Sequence, residues 1–436
     1  MAFDDARLGA CLGDLYGNDS FDAALLRARA LLRLNRADAA VQELPAMTDV
    51  EAATHAQIAE GYVLRGAVLT RLSEFDNAHA AFAEAWVHVV SAGNAALEAE
   101  FEYYRALLAW MEGRFDDAAV TALVVEGVLE REELWLRPSV PYIVSLAATQ
   151  ARALELRAFE AGRVGKLHEQ SRLLRRGLAV LRWDGHPDRF VEAGLLCNLA
   201  IVAREIGSVA DSDAIAKRIA EIDWPADLTE QRYHIVRALG WCRALAGDHV
   251  GALRRFREAG KLAVTVAWQV FAVVDRAYLA VELGQQIFAD EEIDHALELS
   301  LGVDWAKAGA EEAAALLMLA QLLAKRDSAE AALVFERYRA ARKSASGLSF
   351  AALDPRLKAS EEYARAHIAL GRGASAEAAV LLAEAFSTWH RIGSKWRAAL
   401  AASDLARLGV DERYARYAQR EIAKRPQSWL ALRFER

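Results

Sequence analysis

Apolar and small residues recur three and four positions apart along the chain, in segments separated by short polar turns. The stretch from Tyr233 to Ala259 shows the pattern most clearly. One apolar segment contains Gly240, an Ala-Gly-Asp turn ends it, and a second segment carries Ala252 and Phe256 on one face. This pattern predicts a helical hairpin in which small residues let two helices approach closely and the aromatic ring fills the gap between them.

The same small residues repeat through the sequence. The position on the second helix is filled by Ala40, Ala78, Ala118, Ser212, Ala252, Ala289, Ala331 and Ala378. Neighbouring members are 37 to 47 residues apart, except for one interval of 94 that predicts a degenerate hairpin inside it. Twelve residues earlier, on the first helix, a small residue recurs in every case but Leu319. The sequence therefore predicts an all-α protein of about nine antiparallel helical hairpins.

This arrangement resembles the tetratricopeptide repeat family, with a unit close to 40 residues instead of about 34. In its long unit the chain is similar to the helical-repeat sensor regions of large bacterial transcription regulators. The resemblance implies one right-handed superhelical solenoid over residues 1–436, with helices at 395–408 and 412–423 as a C-terminal capping pair. Breaks rich in proline, glycine or serine predict bends near 131–141 and 343–357.

Composition agrees with this fold and indicates the compartment. Hydrophobic residues make up 54% of the chain, which has seven prolines, and Ala, Leu, Arg and Glu are strong helix formers. Cys11, Cys197 and Cys242 are widely separated, so neither a disulfide framework nor a zinc site is indicated. The net charge of −8 disfavours nucleic acid and anionic membranes. With no signal-peptide pattern and no apolar run of about 20 residues, we expect a cytoplasmic protein.

No motif for catalysis, a cofactor or a metal ion is present. The P-loop, zincin and G-x-S-x-G patterns are missing, and Arg172 stands where a zincin pattern after His168 would need its second histidine. We therefore expect no catalytic residues, no cofactor and no metal site. Two arginine clusters, at 172–182 and 254–257, predict solvated faces of amphipathic helices; an acidic or nucleic-acid partner is the alternative interpretation.

The resemblance also implies where a partner binds. In the tetratricopeptide repeat family the first helices line the concave surface, and contacts come from positions just before and after the small residue. The matching positions here are Glu100, Tyr103, Trp110, Arg204, His234, Arg237, Trp241, Tyr278, Tyr363 and His367. They form an aromatic lining of mixed charge that suits a peptide, a helix or a flat small molecule. The Lys-Asn-Arg clamp that some members use for a C-terminal carboxylate is absent.

At the centre of this groove we expect Arg237 and Trp241, and we expect both to be replaceable without loss of helicity. For each groove residue, burial in the packing between helices is the alternative to ligand contact.

The sequence thus predicts a non-enzymatic protein–protein interaction module with a regulatory or scaffolding role in a bacterium, binding a peptide or protein partner in its concave groove. The alternative is a regulatory sensor whose groove binds a small molecule or a signalling peptide and changes the curvature of the solenoid. An enzyme built on helical hairpins would need clustered polar residues with perturbed pKa values, and the sequence offers no such cluster. Oligomeric state is not indicated.

Overall fold

The computed structural model describes residues 16, 20–33, 36–44, 53–131, 146–182, 188–222, 224, 228–305, 308, 310–326, 328–344 and 355–435. In these residues the regular structure consists of twenty-one α-helices, without strands. None of the described helices is long and apolar enough to cross a membrane.

The helices follow one another in pairs joined by short turns. In chain order they are α1 (Phe21–Arg33), α2 (Ala37–Glu43), α3 (His55–Arg71), α4 (Phe75–Ala92), α5 (Ala95–Met111), α6 (Phe115–Arg131), α7 (Leu146–Arg163), α8 (Leu167–Arg182), α9 (Arg189–Ile206), α10 (Val209–Glu221), α11 (Thr229–Ala246), α12 (His249–Leu262), α13 (Val266–Glu282), α14 (Gln286–Leu301), α15 (Ala310–Ala324), α16 (Ser328–Ser344), α17 (Pro355–Gly371), α18 (Ser375–Ile392), α19 (Lys395–Arg407), α20 (Glu412–Ala423) and α21 (Trp429–Glu435). The nine predicted hairpins are α1 to α18, and the C-terminal pair is α19 and α20, so the predicted all-α fold is confirmed.

Contacts between helices divide the chain into two compact units. Unit 1 comprises Met1–Glu160 and Arg172–Leu195, and unit 2 comprises Ala161–Ser171 and Leu196–Arg436. The boundaries fall inside α7, α8 and α9, so these helices contribute to both units. That residues 1–436 form a single right-handed solenoid stays a prediction. The bends expected near 131–141 and 343–357 fall mostly outside the described residues.

The small residues have the packing role that the pattern predicts. A Cβ atom added to Gly240 would lie 2.5 Å from the Phe256 ring, and one added to Gly66 would lie 2.5 Å from the Phe82 ring. Each ring therefore occupies the space that a side chain on the first helix would need. The turn between α11 and α12 also requires glycine, since Gly247 has a φ of 92° and donates its N–H to carbonyls of the last turn of α11.

Two helix starts show how the local sequence sets a boundary. The helix α17 begins at Pro355, and proline at the first helical position gives up no intrahelical hydrogen bond. The helix α15 begins at Ala310, and Trp305 precedes it. The Trp305 indole N–H donates to the carbonyl oxygen of Ser300 at 2.9 Å, which satisfies an acceptor at the end of α14.

Within unit 2 the C-terminal helices return to α9, a feature that the repeat pattern does not predict. The Ser394 hydroxyl donates to the backbone carbonyl of Glu205 at 3.1 Å, and the Trp396 indole N–H donates to the carbonyl of Arg204 at 2.8 Å. The additional helix α21 packs against α11, α13, α19 and α20, with Trp429 fully buried. These contacts join the last helices of unit 2 to its first ones.

Candidate ligand-binding site

A cavity of about 500 Å³ lies in unit 2. Its walls come from the first helices of six successive pairs, α9, α11, α13, α15, α17 and α19, with Trp389 of α18 added. The volume falls in the range of about 300–1,000 Å³ that is typical of ligand sites. The first helices thus face this cavity, as the repeat resemblance implies.

One side of α11 forms a continuous wall of the cavity. Glu230, His234, Arg237 and Trp241 all line it, and their spacing of four, three and four residues places them on one helix face. At 1.5 Å per residue this face extends about 16 Å along the cavity. The wall therefore runs from an acidic end at the first turn of α11 to an aromatic end near its last turns.

Aromatic rings cover much of the lining. The Trp241 ring lies 5.7 Å from the Tyr278 ring and 6.2 Å from the Trp396 ring, centroid to centroid. Trp268 and Phe271 stack on the neighbouring helix α13, with centroids 6.3 Å apart. Packed rings of this kind offer apolar surface with little side-chain freedom left to lose on binding.

Arg237 and Trp241 are held in place by a buried carboxyl group. Asp275 on α13 is fully buried and accepts hydrogen bonds from Arg237 Nε, from Arg237 Nη2 at 3.0 Å and from Trp241 Nε1 at 3.0 Å. The guanidinium group also lies 3.3 Å from the centroid of the Phe271 ring. Replacing both residues would leave a buried acid without these donors, so we expect the double change to lower the stability of unit 2. That it leaves helicity intact stays a prediction.

A second buried acid, Glu205, lies at the end of α9. Its Oε1 accepts from Arg204 Nη2 at 2.8 Å and from Arg397 Nη2 at 3.3 Å, and its Oε2 accepts from the Ser394 hydroxyl at 3.2 Å. Burial opposes ionisation of this group, but the positive charges of Arg397 and Arg204 outweigh burial and lower the Glu205 pKa to about 2. Glu205 therefore stays ionised at neutral pH.

The histidine of the lining is held neutral. His234 meets the Trp268 ring edge-on, with centroids 4.4 Å apart. Burial lowers the His234 pKa to about 3, and the positive charges of Arg237 and Arg204 act in the same direction. At neutral pH the ring is thus an uncharged donor and acceptor.

Six of the ten groove residues predicted from the sequence line this cavity. They are Arg204, His234, Arg237, Trp241, Tyr278 and Tyr363. His367 instead lines a second pocket of unit 2, of about 640 Å³, where its Nε2 lies 3.4 Å from Asp404 Oδ2. That these seven residues contact a ligand stays a prediction.

The other three groove residues, on α5, belong to unit 1 and complete its packing. Glu100 is buried and pairs with Arg29, which also bonds Glu60 of α3 at 2.7 Å. Tyr103 is buried, and the Trp110 ring lies 4.6 Å from the Phe115 ring. Ligand contact by these three residues stays a prediction too.

Several lining residues were missed at the sequence level. Phe271 and Ser360 lie six positions before their small residues, the same offset that identified His234, so the register could have found them. Trp396 and Arg397 belong to the C-terminal pair, to which we assigned a capping role and no groove position. Among the described residues, no group of three or more His, Cys, Asp or Glu side chains is arranged to hold a metal ion.

No protein-family model and no curated protein matches the sequence. Among solved structures the chain is similar to the apo form of the quorum sensor NprR from B. thuringiensis, with 14% identity, a TM-score of 0.50, and coverage of 88% of this chain and 98% of that one. It also aligns with a Rap protein complexed with competence and sporulation factor (14% identity, TM-score 0.43, coverage 94% and 99%) and with NprR in complex with its cognate peptide NprX (14%, 0.42, 86% and 98%). The first of these comparisons shows that this chain shares the helical-repeat fold of NprR.

Proposed function

We propose that this protein is a non-enzymatic regulatory module that binds a short peptide in the cavity of unit 2. The observation that carries the proposal is the cavity itself, whose walls come from six successive first helices and are lined by aromatic rings and fixed polar groups. A peptide offers both apolar side chains and backbone polar groups, which match such a lining. NprR, whose apo form has the same fold, is a quorum sensor with a cognate peptide, and this agrees with the proposal.

The ionisation of the lining supports a binding role over a catalytic one. A general acid or base works best with a pKa near the working pH. The His234 pKa is lowered to about 3 and the Glu205 pKa to about 2, so neither group changes its charge near neutral pH. His234 is suited to orienting a ligand through hydrogen bonds, whereas Glu205 holds two arginines of the lining in place.

A small-molecule sensor is the second candidate, because about 500 Å³ also suits a compact ligand of drug size. In either case we propose a cytoplasmic bacterial protein that passes ligand binding to a protein partner. Ligand binding would do so by changing the relative stability of two arrangements of the helices.

Thermal unfolding with pooled ligands tests the proposal. Pools of N-acetylated pentapeptides and a set of small metabolites are each added to the wild type, to Ala314→Phe and to Ala376→Phe. Ala314 is half-buried and lines the cavity, so a phenyl ring there blocks it, whereas Ala376 is exposed on α18 and serves as the matched control.

We expect peptide pools to raise the Tm of the wild type and of Ala376→Phe, since a ligand at 100 times its Kd stabilises by about 2.7 kcal/mol. Ala314→Phe should not respond. A response to metabolites alone would favour the small-molecule sensor, and an equal response of Ala314→Phe would place binding outside this cavity.

A further inference from the structure

We propose that the cavity recognises a carboxylate group of its ligand, bound by Arg204 and Arg397 beside Trp389. This inference rests on the proposed function and specifies the chemistry of the ligand. The three residues lie on α9, α19 and α18 and all line the cavity.

Around Glu205 the hydrogen-bond donors outnumber the acceptors. Both carboxylate oxygens are already engaged, Oε1 by Arg204 and Arg397 and Oε2 by the Ser394 hydroxyl, with Arg397 Nε 3.0 Å away. A carboxylate offers about four lone-pair sites, whereas two guanidinium groups carry about ten N–H donors. Glu205 therefore cannot satisfy both arginines, and N–H groups remain for a ligand.

The charge of the buried groups is also unbalanced. Arg204, Arg237 and Arg397 have side chains that are 15%, 8% and 24% exposed, and they face two carboxyl groups, Glu205 at 2% and Asp275 at 0%. Burial lowers the pKa of the Arg204 guanidinium, and the charges of Arg237 and Arg397 reinforce this. An uncompensated buried charge is unfavourable, so a ligand with one negative charge would be stabilised here.

The excess applies to the arginines around Glu205; the lining also carries Arg356, Glu230 and Glu312. Arg356 adds a further positive charge, and it acts on Glu205 in the same direction as Arg204 and Arg397. The acids Glu230 and Glu312 line the same cavity from α11 and α15. Glu230 is in the first turn of α11 with a side chain that is 58% exposed, and Glu312 accepts from Thr265 at the start of α13.

An unpaired donor lies beside Arg397. Trp389 is 1% exposed, and its indole N–H has no hydrogen-bond partner among the described residues. The Arg397 guanidinium lies 5.8 Å from the Trp389 ring centroid and 4.8 Å from that of Trp396. Buried N–H groups are normally paired, so an acceptor on a ligand that reached this N–H would relieve an unfavourable state.

A carboxylate fits this site better than a phosphate does. The planar pair of carboxylate oxygens matches the fork of a guanidinium group. The carboxylate belongs either to the C-terminus of a peptide or to an acidic side chain.

Three peptide pools separate these sources. All are N-acetylated pentapeptides: pool one has a free C-terminus and no acidic residue, pool two is C-terminally amidated with no acidic residue, and pool three is amidated with one Glu. Binding to the wild type, Arg397→Gln and Arg397→Lys is measured by native mass spectrometry and fluorescence titration.

We expect pool one or pool three to bind the wild type at least about tenfold more tightly than pool two, since a charge-assisted hydrogen bond to a buried group has that effect. Arg397→Gln should lose most of this preference and bind pool two within about twofold of the wild type, while Arg397→Lys should keep part of the preference. Preference for pool one assigns the terminal carboxylate, and preference for pool three assigns an acidic side chain.

Two outcomes overturn the inference, and they can be told apart. If pool two binds the wild type as tightly as the anionic pools and Ala314→Phe abolishes that binding, the carboxylate site is wrong and the peptide-binding function stands. If no pool binds, the proposed function fails as well. Glu205→Gln adds a check through a different residue: removing the competing acid should raise affinity for the preferred anionic pool, and an unchanged or lower affinity in the folded variant contradicts the site.

Discussion

Replacing Arg237 by methionine should destabilise unit 2 far more than replacing a surface arginine of the same helix. The change removes two of the three donors to the fully buried Asp275 and leaves the Trp241 indole N–H at 3.0 Å. The apolar stem is kept, so the loss comes mainly from the guanidinium group.

Breaking a buried ion pair by removing one partner typically costs about 3–5 kcal/mol. The guanidinium contact with the Phe271 ring is lost at the same time, which adds to the effect. Because domains are stable by about 5–15 kcal/mol in total, one substitution should remove about a fifth or more of the stability of this unit.

The matched control is Arg243→Met on the same helix. Arg243 pairs with Asp248 at 2.6 Å, but the two side chains are 40% and 45% exposed, so their pairing contributes at most about 1 kcal/mol. Asp275→Leu and the double variant Arg237→Met/Asp275→Leu complete a double-mutant cycle.

The assay is urea unfolding of the full chain, with hydrogen exchange of peptides from α11 and α13 as a reading specific to unit 2. This second measurement is needed because a chain with two compact units need not unfold in one step. We expect the double variant to be more stable than the sum of its single changes implies, by about 2 kcal/mol or more. A loss for Arg237→Met no larger than that for Arg243→Met, or an additive cycle, would refute the buried pair.

Three further predictions concern other parts of the packing. Gly240→Ala should lower the free energy of unfolding by about 1–3 kcal/mol, measured by thermal melts, since its new Cβ would lie 2.5 Å from the Phe256 ring. The control Gly127→Ala on α6, where a Cβ meets nothing within 4 Å, should instead stabilise the protein by up to about 1 kcal/mol. The folded His234 pKa of about 3 lies below its ordinary value of 6.5, so the unfolded state takes up the proton first and stability falls as pH drops below 6.5. His234→Phe should reduce that fall by up to about 1.4 kcal/mol per pH unit. The free energy of unfolding is measured by urea titration at pH 7 and at pH 5 for both proteins. Trp429→Ala should cost about 3–5 kcal/mol and speed hydrogen exchange in α11 and α13, because it empties a fully buried contact with both helices; unchanged exchange there would contradict the role assigned to α21.

The hairpins could be predicted from the sequence because their packing is local. Small residues on the two helices of a hairpin recur twelve positions apart, and in two hairpins a phenylalanine fills the gap beside a glycine, as Phe256 does beside Gly240, so most hairpins show a similar pattern in the sequence. The offset from the small residue likewise predicted that His234 and Arg237 line the groove, and both line the cavity, since neighbouring first helices present corresponding faces. This reasoning fails where a helix lacks the recurring small residue of the repeat, as α21 does.

The closure of unit 2 could not be predicted in this way. Ser394 and Glu205 are separated by 189 residues, and no periodic pattern records which distant helices meet. The sequence also gives no sign that Arg237 pairs with Asp275, because the two lie on different hairpins and either residue alone is typical of an exposed face. Buried ion pairs of this kind become visible only when the helices are packed.

The two buried acids divide the arginines of the cavity into two roles. In the described part of the chain Asp275 binds one arginine, Arg237, and also holds Trp241, so this group fixes the α11 wall against α13. Glu205 is shared between Arg204 and Arg397 and cannot satisfy both, so donors remain at that end of the cavity. Changes at Asp275 should therefore act on stability before they act on ligand choice, whereas changes at Glu205 should alter which ligand charge is preferred. The same chemical pair, arginine with a buried acid, thus serves packing at Asp275, where one arginine meets one acid, and in the proposed carboxylate site it serves recognition at Glu205, where two arginines share one acid.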